Sequence, residues 1–218
     1  SDTISSGGGD DHVRGEGGND TIYGESGNDK LEGGDGDDKV YGGEGSDELY
    51  GGQGKDTLDG GIDNDLIYGS LGDDTIIGGS GDDTLYGGDG VDTIYGGEGD
   101  DTIYPGLGSG NQSDLQVIDA GAGDDKVTLT GDKDYAYVKG GSGNDTIDAS
   151  GANFIGGIKG GDGNDTIYGA KTETREIYGE EGDDIIEAAN NNIHTTLSID
   201  GGVGNDTITV LSSSGNVV

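Results

Sequence analysis

A single large aliphatic residue recurs at every ninth position through the first half of the chain: Val13, Ile22, Leu31, Val40, Leu49, Leu58, Ile67, Ile76, Leu85, Ile94 and Ile103. Its neighbours on either side are mostly polar or aromatic, and glycines follow two places on. Such alternation predicts a short strand with the aliphatic side chain on one face and its neighbours on the other. The apolar positions are too sparse for an amphipathic helix, and the glycine density argues against helix anywhere. A fixed nine-residue period predicts a solenoid, because no unit can bury its apolar face alone. The six glycine-rich residues between aliphatic triplets supply the positive-φ positions of a tight turn and are not expected to continue a strand. Two units then make an 18-residue coil. Stacked coils form two parallel sheets with rungs about 4.8 Å apart and a thin aliphatic core between them.

The unit reads Gly-Gly-x-Gly-x-Asp-x-U-x, where U is the aliphatic residue, and eleven copies run unbroken from Ser6 to Tyr104. Position six is always aspartate: Asp11, Asp20, Asp29, Asp38, Asp47, Asp56, Asp65, Asp74, Asp83, Asp92 and Asp101. Position four is glycine at Gly9, Gly18, Gly27, Gly36, Gly45, Gly54, Gly72, Gly81, Gly90 and Gly99; Asp63 takes its place once and is expected to weaken that turn. From Pro105 onward full units recur at 120–128, 140–148, 160–168, 179–187 and 201–209. They carry Asp125, Asp145, Asp165, Asp184 and Asp206 at position six and Gly123, Gly143, Gly163, Gly182 and Gly204 at position four. Between them lie half-units that keep the aliphatic residue (Ile118, Val138, Ile158, Ile177, Ile199). At position six these carry Gln116, Ala136, Gly156, Arg175 or Leu197 instead of aspartate.

The expected architecture is therefore one continuous solenoid with two different halves. Residues 1–104 carry aspartate turns on both edges. Residues 105–218 carry them on one edge, with irregular loops at 105–116, 129–136, 149–156, 169–176 and 188–197 on the other. One-sided insertions either mark a binding face or record drift after loss of the acidic residues. The first five residues read as positions five to nine of a unit, so the chain is expected to be a piece or processed product of something longer.

Composition sharpens this picture. The 218 residues include 52 glycines, one proline and no cysteine, methionine or tryptophan; the formal net charge is −36 and only 28% of residues are hydrophobic. Such a chain cannot offset its conformational entropy with an ordinary core. Multivalent cations would substitute for the missing core and remove the self-repulsion. So acidic a surface excludes nucleic acid or an anionic membrane as an electrostatic partner. No apolar stretch is long enough to span a bilayer, and the absence of cysteine excludes disulfides and thiolate metal sites.

The turns supply what calcium requires: carboxylate and backbone carbonyl oxygens, six to eight per ion. A glycine turn can aim its carbonyls into one space because no Cβ obstructs them. Turns two units apart stack on the same edge, so one ion can sit between them, drawing on both. The first edge carries eleven turns (Asp11, Asp29, Asp47, Asp65, Asp83, Asp101, Asp125, Asp145, Asp165, Asp184, Asp206) with ten gaps. The second carries five (Asp20, Asp38, Asp56, Asp74, Asp92) with four. The upper estimate is roughly 14 calcium ions at sites of this type.

Runs such as Gly78-Gly79-Ser80-Gly81-Asp82-Asp83-Thr84-Leu85-Tyr86 resemble the RTX (repeats-in-toxin, hemolysin-type) calcium-binding nonapeptide repeats, and the resemblance covers about residues 1–209. It implies a right-handed parallel β-roll with calcium between successive turns of each edge. It also points to a secreted or cell-surface protein exported by type I secretion, and says nothing of the wider biological role.

Tyr50, Tyr68, Tyr86 and Tyr104 lie 18 residues apart and are expected to stack in one outward-facing column. That column is either a structural ladder or a surface for sugars or for another copy of the chain. The two histidines, His12 and His194, stand far apart with no placed nucleophile, so the chain is read as non-enzymatic. Two roles stay open: a folding and secretion module of a larger secreted protein, or a self-assembling subunit of a surface layer, adhesin or filament.

Overall fold

The computed structural model describes residues 1–108, 115–131, 135–170, 173–189 and 196–211. Two parallel sheets of eleven strands each face one another, and successive strands go alternately to one sheet and the other. Thr21–Ser26 pairs with Thr3–Gly8 below and Lys39–Glu44 above. Lys30–Asp35, in the opposite sheet, pairs with His12–Gly17 and Glu48–Gln53. Through the first half each residue lies beside the one 18 places on, as Ile22 beside Val40 and Leu31 beside Leu49. In the second half the offset becomes 24, 20, 20, 19 and 22 along the first edge, following the insertions. No helix occurs among the described residues.

The aliphatic column is the core. Ile22 through Ile103 are all 0% exposed, and Val127, Ile147, Ile167 and Ile186 continue one sheet while Ile118, Val138, Ile158 and Ile177 continue the other.

The strands are longer than the glycine content predicts. Through the first half each runs six residues, from position seven through position three of the next unit, as in Lys39–Glu44 or Thr93–Glu98. The two glycines at positions one and two are thus inside the strand. The parallel register skips position one and resumes at position two, as Glu25 beside Gly43, because stacked identical units pair whatever the local strand propensity. The position-two residue has positive φ nonetheless, as in Gly34 (φ 116) and Gly43 (φ 121), so each strand bends there before the turn.

Asp63 does not open its turn. It adopts φ 77, the left-handed conformation that glycine has at this position elsewhere, and the hydrogen bonds of Asp47 and Asp65 on either side keep their usual 2.7 and 2.8 Å lengths.

The Asp-free edge of the second half is packed rather than loose where it is described. Leu129, Ala149, Ala152, Ile155, Ala170 and Ala188 are all buried along it. Leu129 N–H donates to Asp148 O, Ala149 N–H to Tyr168 O and Gly169 N–H to Glu187 O, so the rungs continue past the short strands. A two-residue parallel pair, Phe154–Ile155 with Glu173–Thr174, adds a small side sheet. The loop at 188–197, with its asparagine run and His194, lies largely outside the described residues, as do parts of the loops at 105–116, 129–136 and 169–176.

The tyrosine column forms as expected. Ring centroids of Tyr50, Tyr68, Tyr86 and Tyr104 lie 4.8–5.0 Å apart with interplanar angles of 6–12°. A shorter stack, Tyr23 on Tyr41, stands on the opposite sheet.

Candidate metal sites

The position-six aspartates, though ionisable, are among the most buried residues of the molecule. Asp20, Asp29, Asp38, Asp47, Asp56, Asp65, Asp74, Asp83, Asp92, Asp101, Asp125, Asp145, Asp165 and Asp184 are each at most 3% exposed. Asp11 and Asp206, at the two ends of the first edge, are half-buried. The regular offset brings each carboxylate over the turn one coil below. There its Oδ1 accepts the backbone N–H of the lower aspartate, as from Asp20 to Asp38 (2.7 Å), Asp56 to Asp74 (2.8 Å) and Asp101 to Asp125 (2.7 Å).

A second series runs the opposite way at position five. There an Asx side chain accepts the N–H of the position-five residue one coil above: Asp10 from Asn28 (2.9 Å), Asn28 from Ser46 (3.0 Å), Asp124 from Asn144 (2.7 Å). Stacked turns are therefore tied in both directions by side chains. The signal for this second series lies in the recurrent Asp or Asn at position five, as at Asp10, Asn19, Asn28 and Asp37.

The other carboxylate oxygen is what makes these aspartates chemically unusual. Among the described residues, nothing donates a hydrogen bond to Oδ2 of any of the fourteen buried aspartates. Leaving a buried acceptor without a partner costs on the order of 1–3 kcal/mol, and more for a charged one. Burial accordingly raises the pKa of ten of them: Asp47, Asp74, Asp83, Asp92 and Asp145 to about 6, Asp56, Asp101, Asp125 and Asp165 to about 7, and Asp65 to about 8. The bond from the lower N–H opposes this, and for most of them a neighbouring carboxylate in the stack adds to it.

Glycine at position one shapes the space around thirteen of the fourteen Oδ2 atoms; in the Asp125 turn Ala120 takes that position. At thirteen such glycines, Gly15 to Gly179, a Cβ would lie closer than 3.0 Å both to the Oδ2 of the same turn and to the position-one carbonyl of the coil above. At Gly15 these are Asp20 Oδ2 at 2.8 Å and Gly33 O at 2.6 Å; at Gly69, Asp74 Oδ2 and Gly87 O, both at 2.5 Å. The absent side chain thus leaves a cradle between a partnerless carboxylate oxygen and a carbonyl oxygen. Position-four carbonyls also point up the stack: a Cβ on Gly36 would meet Gly18 O at 2.6 Å. All fifteen position-four glycines predicted to assist binding have positive φ.

This donor set is hard oxygen, one carboxylate per turn with backbone carbonyls, and it fits calcium. Among the described residues no three His, Cys, Asp or Glu side chains converge, so the arrangement is unlike a zinc centre, where side chains supply most ligands. The fourteen orphan oxygens divide as nine on the first edge and five on the second. Counting gaps between aspartates gives ten and four instead. Two places account for the difference. At Asp11 the position-one residue is Ser6, whose hydroxyl donates to Gly24 O at 2.8 Å and occupies the cradle. At Asp92 the cradle is present although no aspartate stands above it.

A family model described as RTX calcium-binding nonapeptide repeat (4 copies) matches residues 1–111 in overlapping copies and again at 137–155, 158–171, 176–192 and 198–210. Among curated proteins no match is found.

Proposed function

The chain belongs to the RTX calcium-binding nonapeptide-repeat family, and from that premise we propose that it is a calcium-triggered folding module that becomes a β-roll on reaching the extracellular medium. The observation that carries this reading is the set of fourteen buried, partnerless Asp Oδ2 atoms. Without a divalent ion the fold must either bury charge or take up protons at each rung. With calcium those oxygens gain a ligand and the net charge of −36 is largely offset. Position-six aspartates Asp20 to Asp184, with carbonyls of positions one and four, would hold the ions; calcium supplies the positive charge that lets stacked carboxylates coexist.

Extracellular calcium modules bind at about 10⁻⁴–10⁻³ M, far above cytosolic calcium. The chain would stay unfolded before export and fold on arrival. It acts as a folding or structural element of a secreted protein, with no catalytic role of its own. Circular dichroism during a calcium titration tests this. The β signal should be small in EGTA and rise cooperatively toward millimolar calcium. Equal β content in both conditions would sink the proposal.

A further inference from the structure

We propose a further divalent-cation site at the rung where the second edge loses its aspartates, built from the Asp92 carboxylate, the Pro105 carbonyl and the side-chain amide of Gln116. It rests on the calcium reading above and extends it to a ligand set the repeat does not specify. A count of aspartate pairs ends this edge between Asp74 and Asp92. The geometry does not end there. Asp92 is 1% exposed, and its Oδ2 accepts no hydrogen bond. The cradle at Gly87 is intact: a Cβ there would lie closer than 3.0 Å to Asp92 Oδ2 and to Pro105 O. Pro105 takes position one of the next turn and supplies the carbonyl that glycine supplies elsewhere.

Gln116 stands where the next aspartate would be. Val117 N–H donates to Asp92 O at 3.1 Å, as position-seven residues do on the rungs below. Gln116 is 0% exposed, and its Nε2 donates to Gly90 O at 3.1 Å, inside the Asp92 turn. Its Oε1 is buried without a partner. Successive rungs thus bury two acceptor oxygens that nothing among the described residues satisfies, and such orphans are rare in native structures. An aliphatic side chain would plug the edge without burying an orphan oxygen. An amide oxygen is a competent calcium ligand. Because it is neutral, this rung has one carboxylate fewer than those below, and its ion should be the weakest of the second edge.

Native mass spectrometry of the whole chain at saturating calcium, with calorimetry for the affinities, tests the site. Gln116→Leu should bind one ion fewer than the parent chain, with the remaining affinities unchanged. Gln116→Glu should keep the ion count and tighten the weakest ion about tenfold, through the added charge. A Leu variant that keeps the parent's count overturns the site and leaves Gln116 as a plug. Should the Leu variant lose its β signal, the Glu variant decides alone: an unchanged weakest affinity overturns the site. A parent chain that binds no calcium would instead overturn the family-level reading, a different and separable result.

Discussion

At the scale of the residue, position one matters as much as position six. Aspartate brings the charge, but the glycine opposite makes room for what the charge attracts. Gly69→Ala would drive a methyl against Asp74 Oδ2 and Gly87 O. It should cost about 1–3 kcal/mol, as overpacking does, and remove at least one ion, read by thermal melting in calcium and by ion counting. The reverse case is Asp63. Its φ of 77 is strained for any residue but glycine, so Asp63→Gly should stabilise the calcium-bound roll by about 1 kcal/mol; an unchanged or lower melting temperature would show that the aspartate contributes something its conformation does not reveal.

The acidities give a third residue-scale expectation. Burial raises the folded-state values of ten position-six aspartates, Asp47 to Asp165, to about 6–8, above their ordinary 3.8. A group raised in this way stabilises the fold when protonated, and that contribution is lost as pH rises through the folded value. In EGTA the β signal should therefore be larger at pH 5 than at pH 8, the opposite of an ordinary carboxylate ion pair. Circular dichroism at the two pH values, without calcium, checks the sign.

At the scale of the element, the period was legible and the strand length was not. Aspartate and aliphatic positions repeat without error, so sheet number, register and core followed from spacing alone. Glycine disfavours strands, so composition alone predicts turn at positions one and two. In a stack, however, identical backbones lie beside one another, and the register skips only Gly42 before resuming at Gly43 and Glu44. The second edge beyond residue 105 was legible only as a loss of aspartate. Its replacement by Leu129, Ala149, Ala152 and Ile155 leaves no periodic signal, because the insertions differ in length. The tyrosine column was legible from its spacing, and its geometry says what it does. The rings stack face to face, so their faces are spent on each other and not presented to a sugar. Tyr68→Ser removes two stacked contacts, each worth about 0.5–1.5 kcal/mol beyond area. It should lower the melting temperature in calcium more than Tyr104→Ser, which removes one.

At the scale of the whole molecule, the two halves should answer calcium differently. Ten of the fourteen orphan oxygens, Asp20 to Asp101, belong to the first half, and four, Asp125, Asp145, Asp165 and Asp184, to the second. Solenoid stability is a sum of unit terms and nearest-neighbour terms, so a cost repeated on both edges accumulates faster than one repeated on a single edge. The second half also closes its other edge with apolar side chains, whose burial needs no ion. We expect the roll to open from its doubly acidic half as calcium is withdrawn. Hydrogen exchange along an EGTA series should show amides of Lys39–Glu44 and Thr57–Ile62 losing protection at higher free calcium than those of Ala136–Ser142 and Gly157–Asp162. Loss at one common calcium concentration would mean that coupling between neighbouring coils exceeds the difference in carboxylate load, and that the chain folds as a single cooperative unit despite its two kinds of edge.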